Sequence, residues 1–382
     1  MFSLKIALLG YGVVGGGVHE YCKTRGDLEV VHVLVRRGRP ELGALATADF
    51  DTILSDPVVD TVVEVMGGVH PAYEYVSAAL KAGKNVVTAN KALVAACYEN
   101  LLALAKKNGV AFRCTAAVGG GIPWLTNLER CKRLDTITDV GGIMNGTTNF
   151  ILSRMHGEGA DFGDVLARAQ ALGYAEADPT ADIDGYDIRR KLAISANVAF
   201  DVCLNEETIP TFGIRTITGA DMAAFQRRGF TCKLLAKALR TEQGITAYVE
   251  PALVTADALE AAVGENNNLI SYTGENMGRH GFYGQGAGRF PTAGNVVQDC
   301  LDIAAGVKDF YTDAVRPVAP DGTAVAHPYY VRTTAPDVWL KEKVADTWET
   351  GVVTGSVNVF EMLAWAKEQL EKDPTAFIAA ID

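Results

Sequence analysis

The stretch Leu4-Lys5-Ile6-Ala7-Leu8-Leu9-Gly10-Tyr11-Gly12-Val13-Val14-Gly15-Gly16-Gly17 decides how this chain is read. An apolar run of strand length ends at Gly10, and a helical pattern continues to about Lys23. Between them Gly10, Gly12 and Gly15 spell G-x-G-x-x-G. The first glycine permits a tight turn, the second lets backbone approach a pyrophosphate, and the third lets helix and strand pack closely. The helix N-terminus adds unpaired N–H groups and a positive dipole for an anion. With 39 glycines in the chain, the motif alone is also what a glycine-rich turn produces. Its place after a strand and before a helix points to a dinucleotide, cradled by Gly10, Tyr11, Gly12, Val13, Val14 and Gly15.

The next apolar run, residues 29–35, reads as a second strand. An NAD-type site places an acidic residue at its end, against the ribose 2′-hydroxyl. Here the run ends in Arg36-Arg37-Gly38-Arg39. A guanidinium in place of a carboxylate favours a 2′-phosphate, hence NADP(H) over NAD(H); a solvated basic loop is the plain alternative. Three more strand-then-loop units follow, with strands at 60–66, 85–88 and 110–116. Strands alternating with helices imply a doubly wound parallel sheet with right-handed crossovers. In such sheets ligands sit at the C-terminal ends of the strands. Gly10–Gly15, Arg36–Arg37, Gly67–Gly68, Thr88–Lys91 and Val118–Gly121 all fall at those ends.

At 382 residues the chain has room for two or three domains. Apolar residues at 48% and charged residues at 21% exclude a disordered chain. A net charge of −11 disfavours nonspecific nucleic-acid binding, which relies on Lys and Arg against phosphate. The seven cysteines, Cys22, Cys97, Cys114, Cys131, Cys203, Cys232 and Cys300, contain no C-x-x-C and no disulfide framework. Free thiols in a reducing cytoplasm are the expectation. The N-terminal apolar run is too short for a signal h-region or a spanning helix, and no membrane segment is expected.

After about residue 130 the texture changes to mixed strands and helices, as in a second, α+β domain. Residues 174–191 place five carboxylates before three cations. If a helix starts near Gly185, Asp187 and Lys191 share a face at i and i+4. In isolation that spacing is most simply an exposed salt bridge, worth about 0.3–0.5 kcal/mol. The functional alternative is an aspartate orienting a buried lysine for proton transfer. Glu176, on the preceding loop, could bind a substrate ammonium or be merely solvated. Residues 281–299 form a glycine loop followed by a helix near Thr292, suited either to an anionic ligand or to close packing.

Taken together, GYGVVG, TANK at 88–91, VGGGIP at 118–123, NGTTNFIL at 145–152, AEADPTADIDGYDIRRK at 175–191 and GQGAGRFPTAGNVVQD at 284–299 resemble homoserine dehydrogenase over about residues 4–320. The resemblance implies interconversion of L-homoserine and L-aspartate 4-semialdehyde with NAD(P)(H), in threonine, methionine and isoleucine biosynthesis. It implies a Rossmann nucleotide domain at 1–130, completed by about 296–320, and a catalytic and dimerisation domain at 131–295. A homodimer or higher homo-oligomer is expected. Lys191 is then the proton donor and acceptor, Lys91 a second catalytic lysine, and Asp187 a substrate-site aspartate. Glu176 grips the amino group of the substrate, and Thr88, Lys91 and Gly286 contact the cofactor. The resemblance further implies a monovalent cation, Na+ or K+, on backbone oxygens of Thr115, Val118, Gly120 and Ile122. The family usually has Glu where this chain has Thr115, so the local charge is lost.

Residues 327–382 are the last 56. His327-Pro328-Tyr329-Tyr330-Val331-Arg332 resembles an opening ACT strand, and the rest reads as helical. A short, degenerate ACT-like or helical appendage is expected. Two rival functions stand: another NADP oxidoreductase acting on a small carbonyl compound, and a nonenzymatic NADP sensor on the same fold.

Overall fold

The apolar runs that read as strands pair as strands. The structure, a computed structural model, describes residues 3–308 and 315–381; residues 1, 2, 309–314 and 382, which fall within the expected domain spans, lie outside the described residues. The chain forms two compact units. The first comprises Met1–Leu134, Ile194–Cys203 and Gly284–Pro317, and the second Asp135–Ala193, Leu204–Tyr283 and Val318–Asp382.

In the first unit, β1 (Leu4–Leu9), β2 (Leu28–Leu34), β3 (Ala46–Thr47), β4 (Thr61–Glu64), β5 (Asn85–Thr88) and β6 (Phe112–Arg113) form one sheet in the order β3-β2-β1-β4-β5-β6. All pairs are parallel, with Leu8 opposite both Val33 and Val63. Ile6, Ala7, Leu8 and Leu9 are fully buried, as expected of a parallel strand covered on both faces. The strand order reverses between β1 and β4, and in such sheets that switch point opens the ligand crevice. The sheet is accompanied by α1 (Val13–Lys23), α2 (Phe50–Ser55), α3 (Ala72–Lys81), α4 (Lys91–Asn108), α5 (Trp124–Lys132) and the returning helix α11 (Arg289–Ala304).

From residue 135 to 285 the elements are β7 (Ile137–Ile143), α6 (Gly146–Glu158), α7 (Phe162–Ala171), α8 (Thr180–Ile183), α9 (Tyr186–Phe200), β8 (Val202–Leu204), α10 (Gly219–Arg227), β9 (Phe230–Arg240), β10 (Ile245–Thr255), β11 (Asn267–Gly274) and β12 (Gly278–Gln285); all belong to the second unit except the later part of α9, most of β8 and the end of β12. Two divisions differ from the expected boundaries. The chain returns to the first unit at Gly284, ahead of the expected 296, and Ile194–Cys203 also belongs there although it lies in the expected catalytic span. Helix α5 explains the second difference. Trp124 Nε1 donates to Ser195 Oγ at 2.9 Å, and Lys132 Nζ donates to Val198 O at 2.6 Å.

The helical reading of the tail is corrected. After β13 (Arg316–Val318) and β14 (Ala326–His327) come β15 (Tyr329–Arg332), α12 (Val338–Lys343), β16 (Val344–Thr347), β17 (Val352–Thr354), β18 (Val357–Asn358), α13 (Val359–Lys372) and β19 (Phe377–Ile381). From β15 onward, leaving aside the two-residue β18, this is the β-α-β-β-α-β run of ferredoxin-like modules. Its strands lie in the order β19-β15-β17-β16 and extend the second unit's sheet, which reads β12-β11-β7-β9-β10-β19-β15-β17-β16. Strand β19 pairs in parallel with β10, Ala252 opposite Ala380. Tyr330 Oη donates to buried Asp221 at 2.6 Å, and Arg332 Nε donates to the same carboxylate at 2.9 Å. Strands of three to five residues, one of them exposed throughout, leave too little alternation for a sequence signal. Among the described residues no helix is long and apolar enough to cross a membrane.

Candidate active site

The glycine turn is built as its spacing requires. Gly10 has φ of +103°, and a Cβ on Gly15 would lie 2.4 Å from Gly10 O, so neither position accepts a side chain without displacement. A Cβ on Gly12 would meet no atom within 4 Å, which leaves an open approach to the start of α1. Gly12 caps that helix with no side-chain hydrogen bond, so its first N–H groups are available to a ligand. Tyr11 Oη sits 2.9 Å from His19 Nδ1. Arg36 and Arg37 are exposed just past the end of β2. These features fit a dinucleotide phosphate on the turn.

The TANK turn rests on a carboxylate that sequence reading missed. Glu64, the last residue of β4, is fully buried. Its Oε2 accepts from Thr88 Oγ1 at 2.6 Å and its Oε1 from Met66 N at 2.7 Å. Asn90 Nδ2 donates to Gly68 O at 2.6 Å, while Asn90 Oδ1 caps α4 by accepting from Leu93 N at 3.2 Å. Lys91 is therefore the first residue of a capped helix, partly exposed. Burial pushes the Glu64 carboxyl above its usual range, against the opposing pull of Thr88, Met66 N–H and Asn90.

In the second unit, Asp187 and Lys191 form the pair that helical spacing allows, and burial removes the solvated reading. Lys191 Nζ lies 2.7 Å from Asp187 Oδ2 and donates to Met144 O at 2.8 Å. Asp187 is 4% and Lys191 8% exposed. Asn145 completes the cluster: its Nδ2 donates to Asp187 Oδ2 at 2.8 Å and to Asp182 Oδ1 at 2.7 Å. Its Oδ1 accepts from Thr148 N at 2.8 Å, capping α6. One asparagine thus fixes a helix start and the carboxylate that holds the lysine. Glu176 is exposed, on the loop between α7 and α8, and Gln170 Nε2 donates to its carbonyl at 3.0 Å.

The VGGGIP turn packs against the late glycine loop within the first unit. A Cβ on Gly120 would fall 2.5 Å from Gly286 C and O, and Gly121 N donates to Gln285 O at 3.2 Å. Gly286 is thereby set by the turn. Two of the four backbone oxygens expected to hold a cation, those of Gly120 and Ile122, already have hydrogen-bond donors. Asn295 Nδ2 donates to Gly120 O at 2.6 Å and to Ile122 O at 2.9 Å. Ile122 O also accepts from Trp124 N at 2.7 Å. Thr115 contributes its N–H and hydroxyl to buried Asp299, at 2.9 and 2.7 Å. The Asp299 carboxyl is pushed up to about 6 by burial, with Arg113 and Thr115 opposing.

Residues 123–301 match the family model of homoserine dehydrogenase, and residues 10–115 match that of the homoserine dehydrogenase NAD-binding domain. The homoserine dehydrogenase of Pseudomonas aeruginosa is 38% identical over 361 residues, 88% of this chain and 83% of that protein.

The chain belongs to the homoserine dehydrogenase family.

Another similar relative, from Corynebacterium glutamicum, is 43% identical over 320 residues, 79% of this chain and 72% of that protein. The crystal structure of a homoserine dehydrogenase from Thiobacillus denitrificans superposes with a TM-score of 0.86 at 32% identity, covering 100% of this chain and 98% of that one. The enzyme is thus an oxidoreductase that interconverts L-homoserine and L-aspartate 4-semialdehyde in amino-acid biosynthesis. Within this homoserine dehydrogenase, Lys191 and Asp187 are in direct contact. Lys91, Thr88 and Gly286 lie in the first unit with the glycine turn, whereas Lys191, Asp187 and Glu176 lie in the second. Sequence reading missed Glu64, Asp182 and Asn295, and on physical grounds passed over Asn145. Only Asn145 carried a signal, as an N-cap ahead of an apolar run.

Proposed function

We propose that this homoserine dehydrogenase works with NADP(H) in preference to NAD(H), and that Lys191 is its proton donor and acceptor. A bound nicotinamide supplies or receives the hydride at the carbon that carries the reacting oxygen. In the reducing direction the aldehyde oxygen gains negative charge as its carbon gains hydride. The Lys191 ammonium passes a proton to that oxygen, and in the reverse direction its neutral amine takes the proton from the homoserine hydroxyl. Asp187 aims Lys191, with Asn145 and Asp182 behind it. Lys91 stabilises the developing oxyanion electrostatically. Glu176 binds the substrate ammonium. The observation that carries this reading is a lysine ammonium kept out of bulk water by a carboxylate and a backbone carbonyl. A surface salt bridge has no need of that arrangement.

NADP preference rests on Arg36 and Arg37, which stand where an NAD site carries an acid. The protein acts in the cytoplasm as a homodimer, its seven thiols free. The test is reduction of NADP+ and of NAD+ by the enzyme with L-homoserine, side by side. A higher kcat/KM with NADP+ is expected. Equal or reversed values refute the cofactor preference. No turnover with either cofactor, from folded protein, refutes the catalytic roles and revives a sensor.

A further inference from the structure

We infer that the side-chain amide of Asn295 does the work of a monovalent cation beneath the Val118–Pro123 turn, so that this homoserine dehydrogenase needs neither Na+ nor K+. Carbonyl oxygens only accept hydrogen bonds, so the amide nitrogen of Asn295, with its two donors, is the atom that faces Gly120 O and Ile122 O. The two contacts, 2.6 and 2.9 Å, gather these oxygens onto one centre. That is what a bound cation would do with them. Ile122 O has a second partner in Trp124 N at 2.7 Å, which leaves no lone pair for a metal.

The electrostatics agree. A cation site over neutral carbonyls gains most from a nearby carboxylate, and position 115 is a threonine. The carboxylate that is close, Asp299, is one turn along α11 from Asn295. It is already bonded to Thr115 N and Oγ1 and to Arg113 Nε, at 2.9, 2.7 and 3.1 Å. Arg113 thus stands as the permanent counter-charge. A neutral amide bridges the carbonyls without asking for another. Asn295 is buried, on a helix that returns to the first unit, so it ties α11 to the turn that backs Gly286. It is a positioning residue for the cofactor loop.

The full-length enzyme is exchanged into choline chloride and compared with the same protein in NaCl and in KCl at equal ionic strength. Melting temperature and homoserine turnover are both measured. Wild type is expected to melt alike in the three salts and to turn over within about twofold, since no specific ion contributes linkage. Asn295→Asp presents carboxylate oxygen to two carbonyl oxygens, so it is expected to melt lower in choline chloride and to recover saturably in NaCl or KCl. Wild-type melting or turnover that rises saturably with NaCl or KCl over choline overturns the inference. An Asn295→Asp variant indifferent to all three salts overturns it too. If that variant does not fold in any salt, the wild-type comparison alone decides.

Discussion

Separating charge from catalysis at the Asp187–Lys191 pair requires three variants: Lys191→Met, Asp187→Leu and both together. Each residue is buried, at 8% and 4% exposure, and their charged atoms are 2.7 Å apart. Removing one partner of a buried ion pair leaves the other uncompensated, at a cost of about 3–5 kcal/mol. The two single variants should differ within that range. After Lys191→Met, Asp187 keeps the donation from Asn145 at 2.8 Å, so the cost falls near the low end. After Asp187→Leu, the ammonium loses its carboxylate and keeps the neutral Met144 O at 2.8 Å, so the cost falls toward the high end. At about 2–4 °C per kcal/mol for a unit of this size, melting drops by roughly 6–20 °C. The double variant removes both charges, and Asn145 still donates to Asp182 at 2.7 Å. Most of the lost stability should return, to within about 1–2 kcal/mol of wild type.

Turnover should behave differently. Loss of a positioned proton donor costs about 10²–10⁴ in rate, or roughly 2.7–5.5 kcal/mol of barrier. That loss should persist in the double variant after its stability has recovered. The assay pairs thermal melting with steady-state reduction of NADP+ by L-homoserine. Cofactor binding is checked separately by fluorescence titration, and should stay near normal in all three. The reasoning fails if Lys191→Met retains turnover within about tenfold of wild type. It fails equally if turnover returns with stability in the double variant, because the pair would then be purely structural.

Replacing Arg36 and Arg37 with serine should weaken NADPH by roughly 10–150-fold, the worth of a charge-assisted contact, while NADH affinity, read in the same titration, barely moves. Gly15→Ala sets a Cβ 2.4 Å from Gly10 O, so the turn must shift; about 1–3 kcal/mol should be lost in a urea melt, with weakened binding of either cofactor. Lys233, whose Nζ donates to Val263 O at 2.6 Å and Asn149 Oδ1 at 2.9 Å, is lowered by burial to about 8. Between about pH 8 and pH 10.5 the unfolded chain keeps this proton and the folded one sheds it, so stability rises with pH there. Compared with Lys233→Met in urea melts, wild type should gain up to about 3 kcal/mol across that window; a constant difference would show that Lys233 keeps its ordinary affinity for protons.

What was legible in the chain is what physical rules make local. A glycine turn between strand and helix, followed by alternating strands and helices, is enough to call a doubly wound sheet, and the observed strand order agrees. Asp187 and Lys191 could be paired from spacing because four residues complete about one helical turn. Their burial could not be read, since it depends on Met144 and Asn145, 47 and 42 residues away from their partners. Glu64 looked like an ordinary strand residue because its partners Thr88 and Asn90 come from the next strand and its turn.

The cation site shows the same division most sharply. That position 115 lacks a carboxylate is visible in a motif, and it raises the question of what holds the turn in place of a cation. The answer sits 175 residues downstream of Gly120, at Asn295, in a helix start that otherwise reads as routine. A motif can register the loss of a charge because the motif is contiguous. The group that compensates need only be near in space, and the doubly wound fold makes it near by bringing α11 back to the sheet that began at Leu4. The Val118–Pro123 turn, against which the Gly286 loop packs, is therefore held by an element that the chain supplies late in this unit. Folding of the first unit and completion of its dinucleotide site are expected to be one event, since Asn295, Asp299 and Gly286 all arrive on the same returning segment.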